Sequence, residues 1–255
     1  MILALLQARY SSSRLPGKVL KPILGKPMLL HQIERLRNSK MIDKLVVATS
    51  NNISDDAIEK MCTDNNIEIF RGDLENVLDR FYQCAKLYNP DYVVRLTGDC
   101  PLADWQVVDQ VIQCHLDGNN DYTSNCFPPT YPDGLDVEVV KREVLEEAWK
   151  KAVLPSEKEH VTYYINQRPN DFQIGNFEHS QDLSELRWTV DELEDFFFVD
   201  RVYQDLYESN PLFTMYDVLN LLKEYPEMTQ INDKFNRNEG LIKAIDMDDK
   251  FLKNV

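Results

Sequence analysis

The chain lacks a surplus of positive charge: 43 Asp and Glu outnumber 28 Lys and Arg among 255 residues, a net charge of −15. A protein that coats nucleic acid needs a cationic face to neutralise phosphates, so that class is excluded, although a local basic cluster can still hold a small polyphosphate. Paired cysteines are also missing. Cys62, Cys84, Cys100, Cys114 and Cys126 are odd in number and none lies two or three residues from another. That argues against a disulfide framework or a zinc knuckle, and for reduced thiols in a soluble, cytoplasmic protein. No apolar run is long enough to span a membrane, and residues 1–6 have no basic segment before them and are interrupted by Gln7 and Arg9. Nor is there an internal repeat, a low-complexity stretch or a linker that demands separate domains. The length is enough to bury a substantial core without disulfides or metal.

What is present is alternation. Residues 2–6 read as a buried strand ending in a polar, Ser-rich stretch. A helix over 27–38 follows, with Met28, Leu29, Ile33 and Leu36 as its stripe, then a strand over 44–50. Ser54 is expected to cap a helix over 55–65, followed by a strand over 67–70, a helix over 76–88, a strand over 92–96 and a helix over 105–116. This repetition predicts an α/β fold, a mostly parallel sheet with helices on both faces, whose ligands bind at the carboxyl ends of the strands. After a Pro-rich loop, residues 135–140 read as a strand leaving the nucleotide half. Helices are expected over 142–152 and 157–167, strands over 172–177 and 186–190, and a mostly helical remainder.

The richest segment is Gln7-Ala-Arg-Tyr-Ser-Ser-Ser-Arg-Leu-Pro-Gly-Lys18. It gathers Arg9, Arg14, Lys18 and three serines directly after the first strand. Fixed cations with backbone and hydroxyl donors at a strand end make an anion cradle: arginine forks match pairs of phosphate oxygens, and a lysine supplies a point charge. The pattern is not a Walker A loop, since Val19 follows the lysine. Asp99 lies beside Gly98 at the end of the fourth strand, where a glycine lets backbone approach a ligand closely, although most Gly-Asp pairs are simply turns. Asp136 and Glu138 share one face of a strand, pointing either to solvent or to sugar hydroxyls. His160 is a candidate acceptor contact or proton carrier on a helix. Tyr10, Trp105 and Trp188 read as core or cleft-lining aromatics rather than base-stacking platforms.

The run Ala8-Arg9 … Ser13-Arg14-Leu15-Pro16-Gly17-Lys18 resembles the opening motif of the cytidylyltransferases that make CMP-activated sugar acids, the CMP-Kdo synthetases and acylneuraminate cytidylyltransferases. The branch it is most similar to is the spore coat polysaccharide biosynthesis cytidylyltransferase-like group. The likeness extends through residues 46–49, 71–73, 77–80, 95–101, 134–138, 159–162 and 187–195, and fades over the last 50 or so.

That resemblance implies a Rossmann-like nucleotidyltransferase over 1–255. Residues 1–120 would be its nucleotide-binding half, 121–177 an acceptor and dimerisation insert, and 178–255 the second metal ligand with the C-terminal helices. It implies attack by a sugar-acid oxygen on the α-phosphate of CTP, in a homodimer with no nucleic-acid or membrane partner. Ala8, Arg9, Ser13, Arg14, Lys18, Arg80 and Gly98 would contact the nucleotide, with Lys18 and Arg9 catalytic. Asp136, Glu138 and His160 would contact the acceptor, while Asp99 and Asp191 would hold Mg2+. Arg80 has a competing reading as a surface arginine, and Asp191 as a helix N-cap. Where the family has Thr-Pro after that aspartate, this chain has Glu192-Leu193. Alternatives are a nucleotidyltransferase acting on a sugar phosphate or phosphonate, a GT-A-type glycosyltransferase (which favours an Asp-x-Asp pair, whereas Cys100-Pro101 follows Asp99), and a non-catalytic nucleotide-binding subunit.

Overall fold

The computed structural model describes residues 1–253. In chain order it runs β1 (Ile2–Gln7), a small hairpin of β2 (Pro22–Ile23) and β3 (Lys26–Pro27), α1 (Met28–Leu36), β4 (Lys44–Ser50), α2 (Asp56–Asp64), β5 (Ile69–Gly72), α3 (Val77–Tyr88), β6 (Tyr92–Thr97) and α4 (Trp105–Gly118). Then come β7 (Tyr122–Ser124), β8 (Glu138–Lys141), α5 (Arg142–Lys151), α6 (Pro155–Glu159), α7 (Tyr163–Asn166), β9 (Ile174–Asn176), α8 (Leu193–Leu206), α9 (Met215–Glu224) and α10 (Glu239–Leu252). One seven-stranded sheet has the order β5-β4-β1-β6-β8-β7-β9, with β8 alone antiparallel to its neighbours. The expected mostly parallel α/β sheet is therefore present.

Strand β1 shows why the apolar runs are unbroken rather than alternating. Leu3 and Leu5 point into one core layer and Ala4 and Leu6 into the other, and all four are fully buried. Strands covered on both faces need apolar side chains at every position. The layer under Leu3 and Leu5 is closed by residues of α3, α5 and α7, and the layer under Ala4 and Leu6 by α1, α2, α4, α8 and α9. No helix of the described residues is long and apolar enough to cross a membrane.

Several expectations change. The strand expected to leave the nucleotide half instead returns to it: β8 pairs with β6 along Tyr92–Arg95, and it begins at Glu138 rather than at 135. The helix expected over 157–167 breaks into α6 and α7 at Val161, which has φ 44 and is fully buried. Burying this β-branched side chain, and turning Thr162 toward Glu138, outweighs the cost of a conformation such residues avoid. Residues 186–190 form no strand; a single bridge joins Arg187 to Asp133. The strand expected over 172–177 shortens to β9. Ser54 is not a cap: Asn52 accepts its amide at 3.0 Å, and α2 starts at Asp56 because Asp55 is turned inward.

Candidate functional site

The loop after β1 is closed by its own backbone and pinned from below. The Tyr10 carbonyl accepts the Ser12 and Gly17 amides, both at 2.9 Å. Gly17 has φ 69, and a Cβ there would fall 2.9 Å from the Tyr10 ring, so this turn requires glycine. Beneath it, fully buried Asp55 accepts the Tyr10 amide at 2.7 Å with one oxygen. Its other oxygen takes Thr49 Oγ1 at 2.9 Å, the Ser50 amide at 3.0 Å and Ser50 Oγ at 2.5 Å. Burial alone would raise the Asp55 pKa, but the hydrogen bonds from Ser50, Tyr10 and Thr49 win and hold it below the ordinary carboxylate value. The carboxylate thus fixes the loop that carries Arg9, Ser13, Arg14 and Lys18.

Lys18 leaves this loop buried and points across to β6. Its Nζ donates to Asp99 Oδ2 at 2.9 Å, Asp191 Oδ1 at 2.8 Å and the Val190 carbonyl at 2.8 Å. Burial works to lower its pKa, and the two carboxylates outweigh that and raise it. Asp99, whose own burial would favour protonation, is held well below the usual carboxylate range by the Lys18 ammonium. The backbone brings the two acids together, since the Val190 amide donates to the Asp99 carbonyl at 2.7 Å. Gly98 serves this approach. Its amide donates to the Gln7 carbonyl at 2.7 Å, and a Cβ would sit 3.0 Å from that oxygen and 3.1 Å from Ala8 Cβ. A side chain there would crowd the point where β1 and β6 meet, and Gly98 also lines the cavity.

Arg14 is ringed by acids: Asp191 at 2.8 Å, Glu239 at 3.0 Å and Glu192 at 3.4 Å. Arg9 lies more open, 3.9 Å from Glu159. Glu192, not Asp191, stands at the N-cap of α8, because Asp195 accepts both the Asp191 and Glu192 amides at 2.9 Å. The N-cap reading of Asp191 is thereby corrected, and its carboxylate is left facing Lys18 and Arg14.

These groups line one cavity of about 300 Å³, which continues past Cys126 and Phe127 to a second wall. That wall alternates acids and arginines. Glu138 pairs with Arg95 at 2.6 Å and accepts from Thr162; Asp136 pairs with Arg237; Asp133 lies between Arg187 and Arg237. Glu138 is buried rather than solvated, so the solvent reading of this acidic face is overturned. His160 ends α6, and its buried Nε2 has no hydrogen-bond partner among the described residues. Burial, with Arg95 nearby, pushes its pKa down to about 4, so it is neutral at pH 7.

Of the residues singled out in the sequence, Ala8, Arg9, Ser13, Arg14, Lys18, Gly98, Asp99, Asp136, Glu138, His160 and Asp191 all line this one cavity. Arg80 is not among its lining residues. It is fully buried on α3 with Cγ 2.9 Å from where a Gly72 Cβ would be, and its guanidinium nitrogens have no hydrogen-bond partner among the described residues. Burial and the nearby Arg9 lower its pKa to about 10. The surface reading of Arg80 is thereby corrected: α3 buries a wider face than its apolar stripe suggests. Of the aromatics, Trp188 is buried, Trp105 lies over Arg35 at 5.9 Å, and Tyr10 packs on Gly17.

Sequence reasoning missed Arg95, Asp133, Arg187 and the stretch 236–241. Arg95 carried a signal, a charge inside a buried strand. Arg187 joins Asp133, Asp191 and Asp195 at 3.2, 3.5 and 2.9 Å, and nothing in its local sequence announces that.

Two carboxylates from separate loops, Asp99 and Asp191, converge on one cation, the Lys18 ammonium. Their oxygens are of the hard type that a hard cation such as Mg2+ takes, which elsewhere is held by one or two carboxylates with water and substrate phosphates completing the shell.

The family model described as cytidylyltransferase matches residues 3–241. The chain is 35% identical over 233 residues to the spore coat polysaccharide biosynthesis protein SpsF of Bacillus subtilis, covering 89% of this chain and 95% of that protein. A solved cytidylyltransferase from Leptospira borgpetersenii superposes with TM-score 0.86 at 32% identity, over 92% of this chain and 99% of that one. A CMP:2-keto-3-deoxy-manno-octonic acid synthetase in complex with CTP superposes with TM-score 0.60 at 19% identity, over 80% and 98%, a likeness of fold.

Proposed function

The chain belongs to the cytidylyltransferase family, and on that premise we propose that it transfers CMP from CTP to a small sugar acid with release of pyrophosphate, for polysaccharide biosynthesis. The observation that supports this reading best is the meeting of Lys18, Asp99 and Asp191 beside Arg14, at the head of a cavity whose far wall carries Asp136 and Glu138. Displacement at phosphorus asks little covalent work of a protein and much positioning and charge. In this reading Arg9 and Arg14 grip the phosphates of CTP, with Ser13 and the loop amides beside them. Lys18 brings its charge to the α-phosphate. Asp136, Glu138 and His160 hold the acceptor, whose hydroxyls match an alternating row of carboxylates and guanidiniums. Asp99 and Asp191 would hold Mg2+, which supplies charge neutralisation at the reacting phosphate.

Purified protein given Mg2+, CTP and a panel of 2-keto-3-deoxy sugar acids should release pyrophosphate, and should prefer CTP to the other three nucleoside triphosphates. No release with any acceptor would reject the reading. Asp99→Asn should weaken the magnesium requirement; an unchanged requirement removes Asp99 from the metal site. Homodimerisation through 121–177 belongs to the same reading, and a monodisperse monomer by light scattering would reject that part.

A further inference from the structure

We propose that Asp133 is the base that takes the proton from the attacking hydroxyl of the acceptor. The inference rests on the nucleotidyl-transfer reading above and adds the residue that completes the reaction.

Position comes first. Asp133 lines the cavity in the loop before β8, and its backbone is fixed on both sides. Its amide donates to the Leu186 carbonyl at 2.8 Å, and its own carbonyl accepts the Trp188 amide at 2.6 Å. The next residue, Gly134, has φ 113, and a Cβ there would lie 2.6 Å from the Thr189 amide nitrogen, so the loop is pressed against the strip that leads to Asp191. Arg187 touches both carboxylates, Asp133 at 3.2 Å and Asp191 at 3.5 Å. Asp133 therefore shares the Arg187 guanidinium with Asp191 at the proposed phosphate end and lines the same cavity as Asp136 and Glu138 at the proposed acceptor end.

Contacts separate it from Asp99, Asp191, Glu138 and Asp136; of the other acids lining the cavity, Glu239 holds Arg14 at 3.0 Å and Glu159 is a more exposed carboxylate 3.9 Å from Arg9. Asp99, Asp191 and Glu138 each hold a cation at 2.9 Å or closer, and Asp136 is clasped by Arg237. Such carboxylates are committed to their partners and make weak bases. The cations nearest Asp133 are Arg187 at 3.2 Å and Arg237 at 3.9 Å, while Asp136 and Asp99 face it with like charge. Burial first, and Asp136 next, push its carboxyl above the ordinary carboxylate range against the opposing pull of Arg237 and Arg187, the direction a general base requires.

The step balances. The acceptor O–H bond breaks and its proton passes to a carboxylate oxygen of Asp133. The freed oxygen pair forms the bond to the α-phosphorus. The bond from that phosphorus to the bridging oxygen breaks, and pyrophosphate leaves with the pair. Asp133 then returns the proton to water.

The test is the kinetics of wild type and Asp133→Asn between pH 5 and 9, with CTP affinity measured separately by calorimetry. Removing a general base should lower kcat by roughly 100-fold or more while CTP affinity changes by less than about threefold. The wild-type kcat should rise with pH through neutrality, and that limb should vanish in the variant. Asp133→Glu, which keeps a carboxylate, should recover part of the rate. Wild-type turnover with an Asn variant within about threefold in kcat, or one that loses CTP affinity in the same proportion, overturns the assignment and leaves the proposed function standing. If Asp133→Asn does not fold, a wild-type kcat that is flat from pH 5 to 8 overturns it equally. No wild-type turnover with any acceptor removes the proposed function and the base together.

Discussion

Two segments line the cavity and meet where Arg14 touches Glu239, and they are built on different principles. The loop over 8–18 is held by short, mostly backbone contacts around Tyr10 and by one buried carboxylate, Asp55, from the neighbouring crossover. The stretch over 232–241 has no such frame. Asn232 reaches the Arg187 carbonyl and Asp195, both at 2.9 Å, the Asn236 carbonyl takes Arg187 at 3.2 Å, Arg237 reaches the Tyr131 carbonyl at 3.0 Å and Asp136, and Glu239 takes Arg14 at 3.0 Å. Beyond it α10 is tied to α6, where Asp248 accepts the Ser156 amide at 2.9 Å. The first segment is a preorganised scaffold; the second is a strap of charged contacts to the residues that would meet the substrates. A scaffold should fail all at once, and a strap by degrees.

The largest effect belongs to the charge that the scaffold delivers. Lys18→Ala should lower kcat by about 100- to 1000-fold, the usual loss when a charged group aimed at a transition state is removed. It also leaves Asp99 and Asp191 facing each other without the ammonium they now share. Added Mg2+ should therefore raise the melting temperature of this variant more than that of wild type. An equal rise in both would separate the lysine from the proposed metal site. Next comes the pin. Asp55→Ala strands the Tyr10 and Ser50 amides and two hydroxyls in a buried place, at a cost of about 3 kcal/mol or more. Thermal unfolding should show it. The KM for CTP should rise at least about tenfold through the loop, and a variant that loses stability but keeps that KM would refute the scaffold description. Because folding lowers the Asp55 pKa, its stabilising share is present above the unfolded carboxylate value and lost as the pH falls through the lower folded one.

The same contrast decides what the sequence could tell. Arg9, Arg14 and Lys18 lie within ten residues of one another after a buried strand, so chain order alone brings them together. Asp99 stood out through its strand-end place together with the family likeness, and Asp191 only through that likeness. Arg14 and Glu239 stand 225 positions apart, and Arg237 and Asp136 stand 101 apart, and no periodicity reports such pairs. Asp133 looked like one more polar residue in a Pro-rich turn. Its role depends on Arg187, Arg237, Asp136 and Asp99 surrounding it, which only the fold arranges. The sheet was legible because strands buried on both faces must be apolar throughout. The broken helix at Val161 was not, because its reason is a tertiary contact of Thr162 with Glu138.

The strap should yield smaller numbers. Arg237→Ala removes the cation that clasps Asp136 and flanks Asp133, and with it the tie to the Tyr131 carbonyl. The acceptor KM should rise about three- to tenfold, the roughly 0.5–1.5 kcal/mol that a typical hydrogen bond contributes. The KM for CTP should hardly move; an equal change in both would mean that the strap and the scaffold are one unit.

Glu239 offers the smallest and sharpest distinction. In the proposed reading Arg14 grips a phosphate, yet its guanidinium already serves Asp191, Glu192 and Glu239. A phosphate arriving there meets the negative charge of Glu239, a strap residue, on the same fork. Glu239→Gln keeps the length and a hydrogen-bonding oxygen while removing that charge. At a partly exposed site, one like-charge repulsion relieved is worth under about 1 kcal/mol, so CTP should bind roughly two- to fivefold more tightly by calorimetry. The gain should shrink as salt screens the pair. Weaker binding would mean that Glu239 holds Arg14 in its working position, and would move this residue from the strap to the scaffold. The direction of a change of a few-fold thus decides whether the C-terminal segment competes with the nucleotide or prepares for it.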